Sequence, residues 1–244
     1  ASFITERKIR RSGSDFDLNP FGSSGSDLLG QTLTFRNSLF YNRGKQNHSV
    51  TFNATSSSNI ALISSGLQEN KLRGTQLLYA HLIQKTWLFS FQVDQNKQKS
   101  TAQNYLNRSF EITGYEFEPK VSYLFSTNVN FDISAAYGEK ENTLGAEAFL
   151  VQRKLTLAFN WNTGTKLTAN GEFNLIGNNY LGEANTAAAF QMLEALQPGQ
   201  NTTWRLSVQK SLTGFLDLTL NYQGRKSELS SAIHTGTVQL RAHF

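Results

Sequence analysis

Apolar and polar side chains alternate one for one through most of this chain, in segments whose connections are by turns short and long. At the C-terminal end, His234, Gly236, Val238, Leu240, Ala242 and Phe244 share one face, and Thr235, Thr237, Gln239, Arg241 and His243 the other. Leu216, Leu218, Leu220 and Tyr222 oppose Asp217, Thr219, Asn221, Gln223 and Arg225, and Trp204, Leu206, Val208 and Leu212 oppose Arg205, Ser207 and Gln209. Successive side chains of a strand point to opposite sides of its sheet, so this periodicity predicts strands with one apolar face. The pattern runs upstream through 87–93, 115–125, 130–137, 155–161 and 167–175, and less regularly through 2–12, 31–43 and 46–57. Segment 71–83 is ambiguous, because Leu77, Leu78, Tyr79, Leu82 and Ile83 occupy both faces.

Tight turns are expected near 42–45, 84–86, 126–128, 162–165 and 212–214, and longer polar connections at 13–29, 58–70, 95–107, 139–146, 180–199 and 226–232. Short and long connections therefore alternate along the chain, as in outer-membrane barrels with short periplasmic turns and long outer loops. Counting gives about twelve strands with both ends on the short-turn side. The expected fold is all-β, a transmembrane antiparallel up-and-down β-barrel occupying 1–244 as one domain. A soluble sandwich or lipocalin-like barrel is the alternative, but it has no reason to sort its loops by length and calls for more proline than the three present.

Composition agrees with that architecture. A helical membrane protein needs runs of roughly 20 apolar residues, and none occurs; mean hydropathy is −0.39. A barrel tolerates such a polar average because only alternate residues meet lipid. Cysteine is absent, which excludes a disulfide framework and thiolate metal sites. The net charge of +5 is dispersed except at Arg7, Lys8, Arg10 and Arg11, and no nucleic-acid motif accompanies it, so no nucleic-acid partner is expected. No signal peptide is visible at Ala1, which reads as a mature chain or a fragment. Tyr41, Tyr123, Trp161, Trp204, Phe215 and Phe244 fall near strand ends, where aromatic girdles form. Phe244, closing an alternating strand, is the residue type that barrel-assembly machinery recognises.

Twelve tilted strands give a backbone radius of roughly 12 Å and a narrow lumen. The parity of each strand puts Arg36, Glu116, Glu118, Lys120, Asp132, Glu172, Arg205, Asp217, Arg225 and Arg241 inside it. Both signs occur, so these groups are expected to pair and fill the lumen, whereas a selective pore needs one sign around a constriction. The four histidines, His48, His81, His234 and His243, accompany no nucleophile elbow and no zinc spacing. No catalytic, cofactor-binding or metal-ligating residue is assigned, and the chain is not expected to be an enzyme.

Segment 184–197 breaks the β pattern. Asn185-Thr186-Ala187-Ala188-Ala189-Phe190-Gln191-Met192-Leu193-Glu194-Ala195-Leu196 predicts a short helix in an outer loop, capped by Asn185 and ended by Pro198-Gly199. The run 189–201 with Trp204, then Asn221-Tyr222-Gln223-Gly224-Arg225-Lys226-Ser227, His234-Thr235-Gly236 and Val238-Gln239-Leu240-Arg241-Ala242-His243-Phe244, resembles the C-terminal β-barrel region of large outer-membrane proteins of Bacteroidetes. Glu118-Pro119-Lys120 and Glu139-Lys140-Glu141-Asn142 add to the likeness, which spans roughly 31–244. The resemblance implies an outer-membrane address and supplies no catalytic motif. The function expected is a membrane anchor and scaffold in a larger cell-envelope assembly. Its partners would be membrane lipids and lipopolysaccharide, the barrel-assembly machinery, and protein subunits. A narrow porin-like channel for small solutes or anions is the alternative.

Overall fold

A computed structural model describes residues 2–11, 26–42, 47–63, 66–104, 106–164 and 166–242 of the 244-residue chain. Its strands are β1 (Ser2–Arg11), β2 (Ser26–Tyr41), β3 (His48–Ile63), β4 (Gly66–Ile83), β5 (Trp87–Ala102), β6 (Phe110–Ser126), β7 (Val129–Asn142), β8 (Ala148–Asn162), β9 (Leu167–Leu181), β10 (Gly199–Thr213), β11 (Leu216–Ser227) and β12 (Ile233–Ala242). They form one twelve-stranded antiparallel sheet in which sequence order is spatial order. Among the described residues, one helix, α1 (Ala187–Met192), and a single 3-10 turn at Leu106–Arg108 accompany the strands.

The register makes the alternation three-dimensional. Ile133 lies opposite Leu157, Leu157 opposite Phe173, and Phe173 opposite Trp204. Ile133 and Leu157 are each 47% exposed and Phe173 39% exposed. Apolar rows of this kind, repeated over β2 to β11, make a continuous outward belt of Leu, Phe, Tyr and Trp. Water tolerates no such patch on a monomer, whereas lipid requires it. The opposite face buries polar groups: Ser122, Ser134, Gln152, Asn174 and Asn178 are all buried. Cross-strand hydrogen bonds link polar groups along this face. Ser38 Oγ donates to Asn53 Oδ1 (2.7 Å), Asn53 Nδ2 to Gln76 Oε1 (2.9 Å), Gln76 Nε2 to Asp94 Oδ1 (3.0 Å), and further round Gln152 Nε2 to Asn178 Oδ1 (3.0 Å). Apolar outside and polar inside is the inverse of a soluble sandwich, and it identifies a membrane-spanning β-barrel. No helix among the described residues is long and apolar enough to cross a membrane.

The pairings among the described residues run from β1 to β12 without one that joins β12 back to β1, and every residue of β12 is exposed. In hydrocarbon those two edges must pair, because each unsatisfied backbone group costs several kcal/mol there.

Strands reach further than the sequence predicts. Segments 58–70 and 95–107, expected as loops, belong largely to β3, β4 and β5. Outward Ser58, Glu69, Gln95, Lys97, Lys99 and Thr101 are polar and so read as loop, yet these segments are tied across the sheet. Lys97 Nζ and Lys99 Nζ meet the two Glu111 carboxylate oxygens at 2.6 and 2.8 Å, and Gln68 Nε2 donates to Ser100 Oγ at 3.3 Å on the inner side. Of 139–146, residues up to Asn142 remain in β7; the buried Asn142 side chain donates to the carbonyls of Leu144 and Ala146 and so forms the turn itself. Most of the expected 13–29 connection lies outside the described residues. The register also resolves 71–83: Leu77 and Tyr79 share the outward row with Val93 and Phe91, so Leu78 and Leu82 face the lumen.

Candidate functional site

The longest described connection, 182–198 between β9 and β10, folds inward and carries α1. The helix starts at Thr186, whose extended backbone (φ −108°, ψ 159°) lets Oγ1 accept from the Ala189 N–H at 3.0 Å. Thr186, and not the expected Asn185, is thus the cap. The helix also ends well before Pro198-Gly199. Glu194 and Ala195 take left-handed φ of 56° and 62°, and the Ala195 N–H reaches back to the Phe190 carbonyl at 3.1 Å, a Schellman closure that turns the chain toward β10.

The buried face of α1 meets the lumen wall. Ala188, Met192 and Leu193 pack with Phe110 and Ile112 of β6 and with Ala148 and Leu150 of β8; Leu150 and Met192 are fully buried. By strand parity these wall residues point inward, so the polar lumen gives way to an apolar seat for one helix. Polar contacts pin the rest of the loop around the wall. Lys140 Nζ of β7 donates to Glu194 Oε1 (2.6 Å) and to the Met192 carbonyl (3.2 Å). Arg225 Nη1 of β11 donates to the Ala195 carbonyl (3.2 Å). Asn178 and Asn201 donate to the Gln197 carbonyl at 3.2 and 2.7 Å, and Ser227 Oγ donates to Asn201 Oδ1. One loop therefore engages β6 through β11 at the end of the lumen where the longer connections lie.

Below this loop lies a cavity of about 540 Å³ lined by Glu118, Lys120, Asp132, Glu172 and Arg205 among others. Two ion pairs cross strands in it, Lys120 Nζ with Asp132 Oδ2 at 3.3 Å and Arg205 Nη2 with Glu172 Oε2 at 2.9 Å. Glu172 also accepts from Asn174 Nδ2 (2.8 Å), and Asn174 accepts from Thr156 Oγ1 (2.7 Å), so the acid is held by a hydrogen-bonded ladder.

The register puts the other charges assigned from sequence to the lumen as follows. Glu116 lies opposite Asp94, and Asp217 opposite Arg241. Arg225 holds the 182–198 loop through the Ala195 carbonyl. Arg36 lies opposite Thr55 on the distant β2–β3 wall, apart from the two ion pairs. Phe244 lies outside the described residues. Sequence reasoning missed Lys140 and Glu194. Carrying the alternation of 131–137 onward to 140 and 142 places Lys140 inside; the charged run Glu139-Lys140-Glu141 hid it by reading as loop.

No family model matches the chain, and no curated protein matches it. Among solved structures it is similar to the porin NanC (10% identity, 98% of this chain and 99% of that one, TM-score 0.42) and to CymD, a monoaromatic hydrocarbon channel (7% identity, 99% and 78%, TM-score 0.47). It is also similar to the translocator domain of the autotransporter NalP from Neisseria meningitidis (10% identity, 88% and 80%, TM-score 0.40).

Proposed function

We propose that the chain is a bacterial outer-membrane β-barrel that acts as a membrane anchor and scaffold within a larger cell-envelope assembly, with a lumen closed by its own 182–198 loop. The observation that carries this reading is the seating of α1 on Phe110, Ile112, Ala148 and Leu150 together with the Lys140 and Arg225 pins. A selective conducting path calls for a continuous polar surface with charge of one sign at its narrowest ring. Here an apolar contact crosses the wall at one level, and opposite charges neutralise each other below it. In this reading the long β3–β4 and β5–β6 hairpins offer the surface on which partners sit.

The porin-like alternative draws on one specific feature, the cavity of about 540 Å³ beneath the plug, which becomes a vestibule if the loop leaves. Purification from native membranes in mild detergent, followed by native mass spectrometry, separates the two. A scaffold retains a protein partner at fixed stoichiometry, and loses part of it when 187–192 is replaced by a flexible linker. A barrel recovered alone, with the linker variant unchanged, contradicts the scaffold.

A further inference from the structure

The outer wall over β2 to β5 carries a groove whose chemistry changes along its length. It has a volume of about 430 Å³, and its outward lining is Phe35, Ala54, Ser56, Arg73, Thr75, Gln95 and Lys97. The register explains its shape. Phe35 lies opposite Ser56, Ser56 opposite Arg73, and Arg73 opposite Lys97, in one row across four strands. In the next row Ala54 lies opposite Thr75, and Thr75 opposite Gln95. Short side chains thus form the floor between Phe35 on one side and two long cations on the other.

The groove lies at the boundary of the apolar belt. On β5 the outward residues are Trp87, Phe89, Phe91 and Val93, and the next are Gln95, Lys97 and Lys99; on β4, Tyr79 and Leu77 give way to Thr75, Arg73 and Lys71. Lys71 lies opposite Lys99, directly beyond the Arg73–Lys97 pair. Four cations therefore stand together beyond the belt on the side of the longer connections, which the topology expected from the loop lengths places outside, against two carboxylates, Glu69 and Glu111, that bridge Lys71, Lys97 and Lys99. Adjacent cations on one face repel unless an anion joins them. A ligand that fits must present anionic groups to Arg73 and Lys97 and apolar chain to Ala54 and Phe35, with the apolar part directed into the membrane.

We propose that this groove binds a phosphorylated glycolipid of the outer leaflet, with one phosphate between Arg73 and Lys97 and an acyl chain along Ala54, Ser56 and Phe35. The site rests on the membrane-barrel reading of the chain, and its test separates the two. The purified full chain is first inserted into vesicles, then extracted and titrated by native mass spectrometry with bis-phosphorylated lipid A, with the same glycolipid stripped of phosphate, and with phosphatidylethanolamine. The phosphorylated form should bind most tightly. Arg73→Gln with Lys97→Gln should weaken it by at least about tenfold, the effect of losing two charge-assisted contacts. Ala54→Phe, which keeps an apolar outward residue and every charge, should weaken it by filling the groove. Arg153→Gln with Lys226→Gln removes two cations elsewhere on the outer face and should leave binding unchanged. Equal binding of the phosphate-free glycolipid, or equal losses from the two double variants, overturns the site while leaving the barrel intact; failure to insert overturns both.

Discussion

The Lys140 ammonium donates to the Glu194 carboxylate at 2.6 Å, joining residues 54 positions apart and tying the inward loop to the middle of the sheet. The same nitrogen reaches the Met192 carbonyl, so one side chain holds both the end of α1 and the residue that terminates it. Removing it should free the loop without unfolding the barrel. Because Glu194 is half exposed, the expected cost of Lys140→Ala is about 1 kcal/mol. Hydrogen exchange over 185–198 should quicken roughly fivefold, with β6 to β8 unchanged; an unaltered loop would mean that the pin does not hold it.

Leu150 provides a larger effect on the same element. It is fully buried between wall and helix, so Leu150→Ala should cost about 2–5 kcal/mol of local stability. Limited proteolysis of the detergent-solubilised barrel should then cut within 182–198 while the strands survive. Cleavage resistance equal to that of the parent would deny that α1 is seated there.

Adjacent residues on β8 should answer oppositely to the same substitution. Leu157 lies in the outward apolar row between Ile133 and Phe173, whereas Ala158 faces inward between Asp132 and Glu172. Leu157→Arg places a charge at lipid depth, at a cost of about 2–4 kcal/mol near the midplane. Ala158→Arg finds two carboxylates. Heat-modifiable migration and urea refolding into vesicles should show a defect in the first and little in the second.

A glycine inside a strand and one in a turn differ as well. Gly171 has no room for a Cβ because the Phe159 ring of the neighbouring strand occupies that space, the cover that an aromatic gives a strand glycine. Gly171→Ala should therefore destabilise by about 1–3 kcal/mol, while Gly214→Ala, with nothing within 4 Å, should be near neutral. Equal urea midpoints for the two variants would contradict this packing.

These positions show what the sequence carries and what it does not. Parity assigns Leu157 and Ala158 to faces because period two is a local property of a strand, and the same parity puts Asp132, Glu172 and Arg205 in one lumen. It does not reveal where strands end. Lys97, Lys99 and Glu111 look like loop residues, yet they face outward above the apolar belt, where charge is at home and pairing continues. The helix cap was displaced by one residue because Asn185 and Thr186 have equivalent capping chemistry, and only backbone geometry chooses between them. That α1 turns inward follows from Phe110, Ile112, Ala148 and Leu150, apolar residues on a face that parity alone marks as lumen.

Topology is open to direct labelling, because the chain lacks cysteine and a single introduced thiol is unique. A cysteine replacing Glu183, in the plug loop, should react with an impermeant maleimide on whole cells. One replacing Thr213, at a tight turn, should react only after the membrane is permeabilised. The reversed pattern would invert the barrel.

The outer edges of β1 and β12 should meet in the membrane. A cysteine at Val238 paired in turn with one at Phe3, Thr5 or Arg7 should yield an intramolecular disulfide at one of these registers, since cross-strand neighbours fall within bridging distance. Only intermolecular bridges would show that other strands cover these edges.

The central claim is a membrane barrel closed by its own loop, and planar-bilayer recording of the purified chain tests it most directly. The intact protein should give no steady conductance, and the variant with 187–192 replaced by a flexible linker should give discrete steps. Reproducible single-channel steps from the intact protein, matching those of the linker variant, would contradict it.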